Sequence, residues 1–404
     1  MPILSSDTLD AKLAKIAVMA EATNGQLDVE HTRSLLERAH HEASSSGYEL
    51  AALDAAIDLI WVIGVMGRAP DDATRWVRQA EALLERQGRP GRRAAELNKN
   101  LGLLAYARGD YATAITALER SVDAMVAEGQ HGPVLGNLYN NLGVNRQLQG
   151  QLVEARTAYE RGLELYGSSL GETHPMIGRI LANLGVVQRR LGDPQASRVS
   201  LERAVAITSE TMGSDNVALY APLVNLGNLD VTEGKPLDAI PKIQRALAVL
   251  ERARGLEDPT ISDALDSLGV AMAAAERHEE AAEHFARAAR LLDGGGSNPH
   301  SRAHAVMGHG TALRMLGRRE EARERLREAV TLFESVEGDP GLLGEAKQNL
   351  ALAIDDEAQA RGVMLEAQES LQKAEDRQSD LEAVQQWLDE HPARPKTDEP
   401  PSPE

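Results

Sequence analysis

A Leu-Gly pair that recurs at a nearly constant interval limits the possible folds of this chain more than any other feature. Each pair is followed by a second Gly seven residues after its own Gly, although Glu276 takes that place in the fifth repeat. A fixed period of about 40 residues is the signature of stacked supersecondary units. Extending the register to Ala20 and Trp61 at one end and to Ala351 at the other gives nine units. The glycines of the pairs, 41 or 42 residues apart, are Gly102, Gly143, Gly185, Gly227 and Gly269, and Gly310 continues the series after His309.

The second half of each unit repeats as well. A small residue lies twelve residues past the anchor, a larger apolar residue four further on, and another small residue three beyond that. A spacing of four and then three marks one face of an α-helix. We therefore expect a helix A around the Leu-Gly pair, a turn at the second Gly and a helix B in each unit, with the larger residue filling the gap between neighbouring units. The larger residues are Val77, Leu118, Tyr159, Leu201, Ile243, Phe285 and Leu326.

The connections between helices carry matching signals. Gly171, Gly213 and Gly255 follow helix B as C-cap glycines should. Asp before Pro is an N-cap followed by a first helical residue that needs no amide hydrogen. Near the end of the chain, Ser379 and Glu382 have the spacing of a capping box before a last helix. The Asp-Pro pairs are Asp193-Pro194, Asp258-Pro259 and Asp339-Pro340.

Composition narrows the function classes. Aromatic residues are 3% of the 404 residues, so the core must consist mainly of Ala, Leu and Val, which suits close helix packing better than sheets. The absence of cysteine excludes disulfides, thiolate catalysis and cysteine-ligated metals. A net charge of -19 disfavours nucleic acid and acidic membrane surfaces as partners. The start of the chain has no secretory signal pattern and no segment is apolar enough to span a bilayer, so we expect a cytoplasmic protein.

These repeats resemble the tetratricopeptide repeat family, in the long form of about 42 residues found in kinesin light chains. The run LGETHPMIGRILANLGVVQRRLG, from Leu170 to Gly192, is similar to that family's linker and helix A. The resemblance implies an all-α, right-handed solenoid of about nine helix-turn-helix units with a C-terminal capping helix. It divides the chain into atypical capping units at 1–95, six well-formed units at 96–335, a degenerate unit at 336–377, a capping helix at 378–391 and a disordered tail at 392–404.

A second resemblance is narrower. The stretch DLIWVIGVMGRAPDDATRWVRQAEALLE, followed by long repeats and a segment LEAVQQWLDE, looks like the region after the kinase domain of myxobacterial-type serine/threonine kinases. In that family the repeats are thought to form a sensing or docking arm. Because the chain has no Gly-rich phosphate loop, H-R-D or D-F-G motif, the resemblance implies no kinase activity.

The resemblance places helices A on the inner wall of the solenoid, where a partner would bind. Asn is a poor residue for the middle of a helix, so its recurrence two residues before the anchor needs a reason. Either the amides bind the backbone of an extended peptide, or they form hydrogen bonds between repeats that fix the twist. Neighbouring arginines favour a partner segment with acidic residues. The candidate groove residues are Asn100, Asn141, Arg146, Arg179, Asn183, Arg189, Arg190, Asn225 and Asn228.

Residues suited to catalysis or to cofactors do not form a pattern. His300 and His304 are four residues apart with His309 nearby, but no carboxylate stands at a matching ligand spacing. We therefore expect no cofactor, no metal and no enzymatic activity. The sequence favours a scaffold that binds a peptide or protein segment in the groove. The alternative is the regulatory arm of a bacterial serine/threonine kinase system, separate from its kinase domain, with a kinase or signalling protein as partner.

Overall fold

Helices make up almost all of the described structure. A computed structural model describes residues 28–88, 91–294, 298–336, 339–374 and 377–392, and no β-strand occurs among them. The predicted all-α fold is therefore confirmed. The α-helices in chain order are α1 Val29–Ser45, α2 Glu49–Leu59, α3 Thr74–Arg86, α4 Gly91–Ala107, α5 Tyr111–Ala127, α6 Pro133–Leu148, α7 Leu152–Leu170, α8 Pro175–Arg190, α9 Pro194–Met212, α10 Tyr220–Thr232, α11 Pro236–Arg254, α12 Ser262–Ala274, α13 His278–Leu291, α14 Pro299–Met315, α15 Arg319–Ser335, α16 Pro340–Ala353, α17 Glu357–Leu371 and α18 Gln378–Glu390.

Two compact units divide the chain, residues 1–211 and residues 212–404. In the first unit α4 pairs with α5 and α6 with α7, and α5 and α7 each pack on the helix that follows. In the second unit α10 pairs with α11, and the same pattern continues as far as α16 with α17. These are the predicted A and B helices in the predicted order. Helix A of the first predicted repeat, around Ala20, lies outside the described residues.

The Gly of each Leu-Gly pair receives the large residue of helix B from its own repeat. A Cβ added at Gly143 would lie 2.5 Å from the ring of Tyr159, which is fully buried. The missing Cβ leaves a depression on helix A of the same repeat, which the large residue fills. The predicted packing between repeats is also present, since Tyr159 lies in one core cluster with Ile180 of the next helix A. Phe285 does both, since it also lies against Gly308 of the next repeat. The same packing joins Gly102 to Leu118, Gly185 to Leu201, Gly227 to Ile243, Gly269 to Phe285 and Gly310 to Leu326.

The second repeat departs from this pattern. Its helix A begins as α2 and continues as a π-helix over Ile60–Met66, which changes the direction of the side chains. The glycine that approaches the neighbouring helix is Gly64, whose added Cβ would lie 2.1 Å from Cδ2 of Leu104. On α3 the buried aromatic residue is Trp76, whereas Val77 is half-exposed. Here Trp76 is buried beside the predicted large residue Val77, which packs against the same cluster, and the small residues Ala73 and Ala80 are buried as predicted.

The predicted turns are confirmed. The second glycines and the C-cap glycines have positive φ, for example 74° at Gly109 and 86° at Gly171. Glu276, which replaces the second Gly in the fifth of the Leu-Gly repeats, is held at φ 60°, a conformation that costs energy for a residue with a Cβ. The side chains of Asp193, Asp258 and Asp339 accept hydrogen bonds from backbone amides at the starts of the helices that follow them.

The capping box at Ser379 was a wrong prediction. Helix α18 begins one residue earlier, at Gln378, so Ser379 is already inside the helix. Its first turn is held instead by Arg377, whose guanidinium lies 3.0 Å from Oδ2 of Asp380. Val384 of this helix is buried in a cluster with residues of α16 and α17. The predicted domain limits, and the capping role of this helix, remain predictions; the tail from residue 393 lies outside the described residues.

An arginine on helix B connects repeats in a way the sequence did not suggest. Arg203, Arg245 and Arg287 each bind a residue 31 positions earlier, in the connection that precedes helix A of their own repeat. Their acceptors are the carboxylate of Glu172, the backbone oxygen of Ser214 and the backbone oxygen of Leu256.

Candidate functional site

The recurrent asparagines of the first unit do not share one environment. Asn100 on α4 is 3% exposed, and its Nδ2 donates to the backbone oxygen of Ile57 on α2 at 2.9 Å. Asn183 is half-buried, and its Nδ2 lies 3.4 Å from Oδ1 of Asn140 in the preceding repeat, a long hydrogen bond. Both asparagines therefore form a hydrogen bond between repeats, which was the alternative to binding a peptide. Asn100 also has no exposed surface that a peptide could contact.

Asn141 is the available member of this set in the first unit. It is half-buried on α6, and its amide has no partner among the described residues. In the second unit, Nδ2 of Asn225 donates to the oxygen of Ala221 on its own helix at 2.8 Å, and Asn228 is half-buried. The amides that can still bind a ligand are therefore fewer than the repeat pattern suggested.

The four candidate arginines also differ in their hydrogen-bond and ion-pair partners. Arg146 forms an ion pair with Oε1 of Glu119 on α5 at 2.7 Å. Arg179 donates to Oδ1 of Asn137 at 3.4 Å, and Arg190 to the backbone oxygen of Gln147 at 3.3 Å. Within the described chain no carboxylate lies within ion-pair distance of these two residues or of Arg189, whose Nε is buried without a partner. Helix α8 therefore carries three guanidinium groups whose charge is not neutralised nearby.

An apolar stripe accompanies these polar residues and was missed from the sequence. Leu103, Val144 and Val186 follow the Leu-Gly pairs directly and are half-buried. They lie one helical turn from the recurrent asparagines, and Val134 and Leu148 on α6 are about half exposed. The sequence signal that could have revealed this stripe is the apolar residue after each of these Leu-Gly pairs. We call the A face the surface of α6 and α8 formed by Val134, Asn137, Asn141, Val144, Leu148, Met176, Arg179, Asn183, Val186 and Arg190.

The opposite charge gathers on α2 and α4 of the same unit. Asp58 is exposed on one side, but the neighbouring helices remove part of the water around its carboxylate. This desolvation raises the pKa of Asp58 to about 6. Asp54 and Glu96 add to the shift, while Lys99 opposes it. Because Arg93 already binds Asp54 through two hydrogen bonds of 2.6 and 2.7 Å, it does little to neutralise Asp58.

The second unit has a mixed acidic and histidine cluster on its helices A. Nδ1 of His304 lies 2.9 Å from Oδ1 of Asp266, and this hydrogen bond raises the pKa of His304. Burial, and then the charge of Asp266, raises the pKa of Asp263. Within the described ranges no three His, Asp or Glu side chains are arranged to hold a metal ion. None of the described helices is long and apolar enough to cross a membrane.

Three family models of the tetratricopeptide repeat match the chain. They cover residues 134–210 and 219–293, residues 68–127, and residues 310–340, which together are more than half of its length. No curated protein matches the sequence.

Solved structures share the fold at low sequence identity. The apo quorum sensor NprR from B. thuringiensis is 14% identical with a TM-score of 0.67, over 90% of this chain and 97% of that one. A Rap protein complexed with competence and sporulation factor is 13% identical with a TM-score of 0.53, over 84% and 99%. The putative kinesin light chain repeats of Podosopora anserina are 22% identical over 54% and 98%, with a TM-score of 0.41 that is too low to bear on the fold.

Proposed function

Since the chain belongs to the tetratricopeptide repeat family, we propose that it is a non-catalytic scaffold whose A face binds an acidic segment of another protein. The observation that carries this proposal is the set of three arginines on α8 without a carboxylate partner, in a chain with a net charge of -19. Most arginines near them, such as Arg146 and Arg161, are paired with a carboxylate. Arg179 and Arg190 are exposed, so a ligand can reach them.

Apolar contact supplies the affinity in this proposal and charge supplies the selectivity. An exposed ion pair contributes about 0.2–1 kcal/mol, so Arg179 and Arg190 alone would bind weakly. Val144, Val186 and Leu148 offer apolar surface beside them, and its burial contributes about 25 cal/mol per Å². Asn141 adds a free amide for a backbone hydrogen bond.

The charge distribution of the unit also gives the bound segment a direction. The acidic part of the segment lies over α8, near Arg179 and Arg190. It is excluded from α2, where Asp58 carries the same sign and has no ion-pair partner among the described residues. The proposal therefore expects a neutral or basic continuation toward α4. The complex of a Rap protein with competence and sporulation factor supports ligand binding by a fold of this kind.

A displayed library of random peptides, selected against the full chain, tests the proposal. We expect the selected peptides to be rich in Asp and Glu beside apolar residues, and to lose binding to the variant Arg179→Glu/Arg190→Glu. The matched control is Arg161→Glu on helix B, which should bind the same peptides as the wild type. Selected peptides without acidic enrichment, or equal binding to both variants, would refute the proposal.

The kinase-arm function remains a second candidate, which rests on the resemblance of residues 58–85 and 381–390 to the region after such kinase domains. This candidate predicts that a serine/threonine kinase encoded next to this chain binds it, and that the binding weakens in the variant Arg179→Glu/Arg190→Glu. If no such neighbouring frame exists, this candidate is removed and the scaffold proposal is unaffected.

A further inference from the structure

A cavity of about 480 Å³ opens between α3, α4 and α5 of the first unit, on the side of α4 away from the A face. Its volume falls in the range of small-molecule sites, which are mostly apolar with a few polar groups that fix orientation. Leu101, Leu104 and Val77 form apolar walls. Arg108 and Arg120 stand among the lining residues, together with the hydroxyl groups of three threonines.

The cavity exists because the ion pair that bridges the same place one repeat later cannot form here, and because several neighbouring side chains are smaller. In the next repeat, Arg146 on α6 reaches across to Glu119 on α5 at 2.7 Å and closes the gap between the repeats. The equivalent of Arg146, three residues after the Gly of the pair, is Ala105; the equivalent of Glu119, counted from Trp61, is Arg78. No ion pair can form between these two, so the space stays open.

At two further positions the side chain is also smaller than its equivalent in the next repeat. Asn98 stands where the next repeat has Tyr139, and its side chain turns back to the oxygen of Ala94 on its own helix at 2.8 Å. Thr74 stands where the next helix B has the buried Ile115. The residues that leave this cavity open therefore differ from those at the same place in the next pair of repeats.

The charges at the cavity select the ligand. Arg108 is partly neutralised, because its guanidinium lies 3.0 Å from Oδ1 of Asp71 and also donates to the oxygen of Pro70. Arg120 is exposed and makes no hydrogen bond or ion pair within the described residues. A guanidinium that has no carboxylate partner among the described residues and lies beside an apolar cavity is complementary to a carboxylate on an apolar body.

We infer that this cavity binds a small amphipathic carboxylate, such as a medium-chain fatty acid, with its apolar chain against Leu101 and Leu104 and its carboxylate on Arg120. The inference does not depend on the proposed binding of an acidic segment, because that site lies on α6 and α8.

Calorimetric titration of the full chain with n-decanoate, kept below its micelle concentration, tests the inference. We expect one saturable site, with n-decanol binding more weakly because it lacks the charge. Arg120→Gln should weaken decanoate about tenfold, since a charge-assisted hydrogen bond is lost. The matched control Arg161→Gln, the equivalent residue one repeat later, should leave decanoate binding unchanged.

A second variant tests the cavity itself. Arg78→Glu/Ala105→Arg copies the bridge between Glu119 and Arg146, so it should close the space and abolish binding while the thermal unfolding stays that of the wild type. Undiminished decanoate binding by this variant would overturn the inference. So would the absence of a saturable site in the wild type, or equal loss of binding in Arg120→Gln and Arg161→Gln.

Discussion

Replacing Gly143 with Ala tests the packing rule on which the repeat depends. The new Cβ would lie 2.5 to 2.8 Å from three atoms of the Tyr159 ring, which is fully buried and cannot turn aside freely. The ring is also held by a hydrogen bond of 3.1 Å from its hydroxyl to Oε1 of Gln147. Overpacking costs about 1–3 kcal/mol, and the better helix propensity of Ala returns about 1 kcal/mol. We expect a net loss of stability of up to about 2 kcal/mol, in place of the gain of about 1 kcal/mol that helix propensity alone would give.

Urea denaturation followed by circular dichroism, with hydrogen exchange to localise the loss to α6 and α7, would measure this effect. Gly362→Ala is the matched control, because Gly362 is helical with no atom within 4 Å of the added Cβ, so this change should stabilise by about 1 kcal/mol. In a Tyr159→Ala background the sign should reverse and Gly143→Ala should become stabilising. If Gly143→Ala stabilises the wild-type chain as much as Gly362→Ala does, the packing reasoning is refuted.

Three further changes should have defined outcomes. Glu276→Gly should raise stability by about 0.5–1 kcal/mol in urea denaturation, because it removes the energetic cost of a left-handed non-Gly residue. This gain is larger than the loss that comes from the greater freedom of the unfolded chain. Asn100→Ala should destabilise by about 0.5–1.5 kcal/mol through the lost bond between repeats, whereas Asn141→Ala should leave stability equal or higher. Because the pKa of His304 is raised, its pairing with Asp266 stabilises the folded chain below pH 6.5, and this stability is lost as pH rises through the folded pKa. Asp266→Asn should therefore lower the pKa of His304, as measured by NMR titration.

The sequence predicted the period of the helix pairs because that period follows from backbone and packing requirements. Glycines that need a positive φ and N-cap aspartates can be read directly from the chain, and these predictions were confirmed. The contact of each large residue with the Gly of its own repeat could not be predicted, because a spacing along helix B does not show that Tyr159 packs on Gly143 as well as on the next helix A. The π-helix at Ile60–Met66 leaves no signal in residue periodicity and was missed, as was the burial of Trp76 beside Val77.

The candidate site was predicted less well, since side-chain partners depend on distances across repeats. Asn100 and Asn141 occupy the same repeat position, yet one is buried against Ile57 and the other is half-buried with a free amide. Arg146 and Arg179 were grouped by sequence, but Arg146 forms an ion pair with Glu119 on α5, whereas Arg179 has no carboxylate partner among the described residues. Only the three-dimensional arrangement separates residues that join repeats from residues that remain open to a partner.

Site-specific photo-cross-linking tests the central claim most directly. A benzophenone amino acid would replace Val144 or Val186 on the A face, or Val199 on α9, which is 67% exposed and lies on a helix B. The probe is an acidic peptide selected against the wild-type chain. Our account predicts cross-linking from positions 144 and 186, competed by unlabelled peptide, and none from position 199. Cross-linking that comes mainly from position 199 would contradict it and place the binding surface on the B helices.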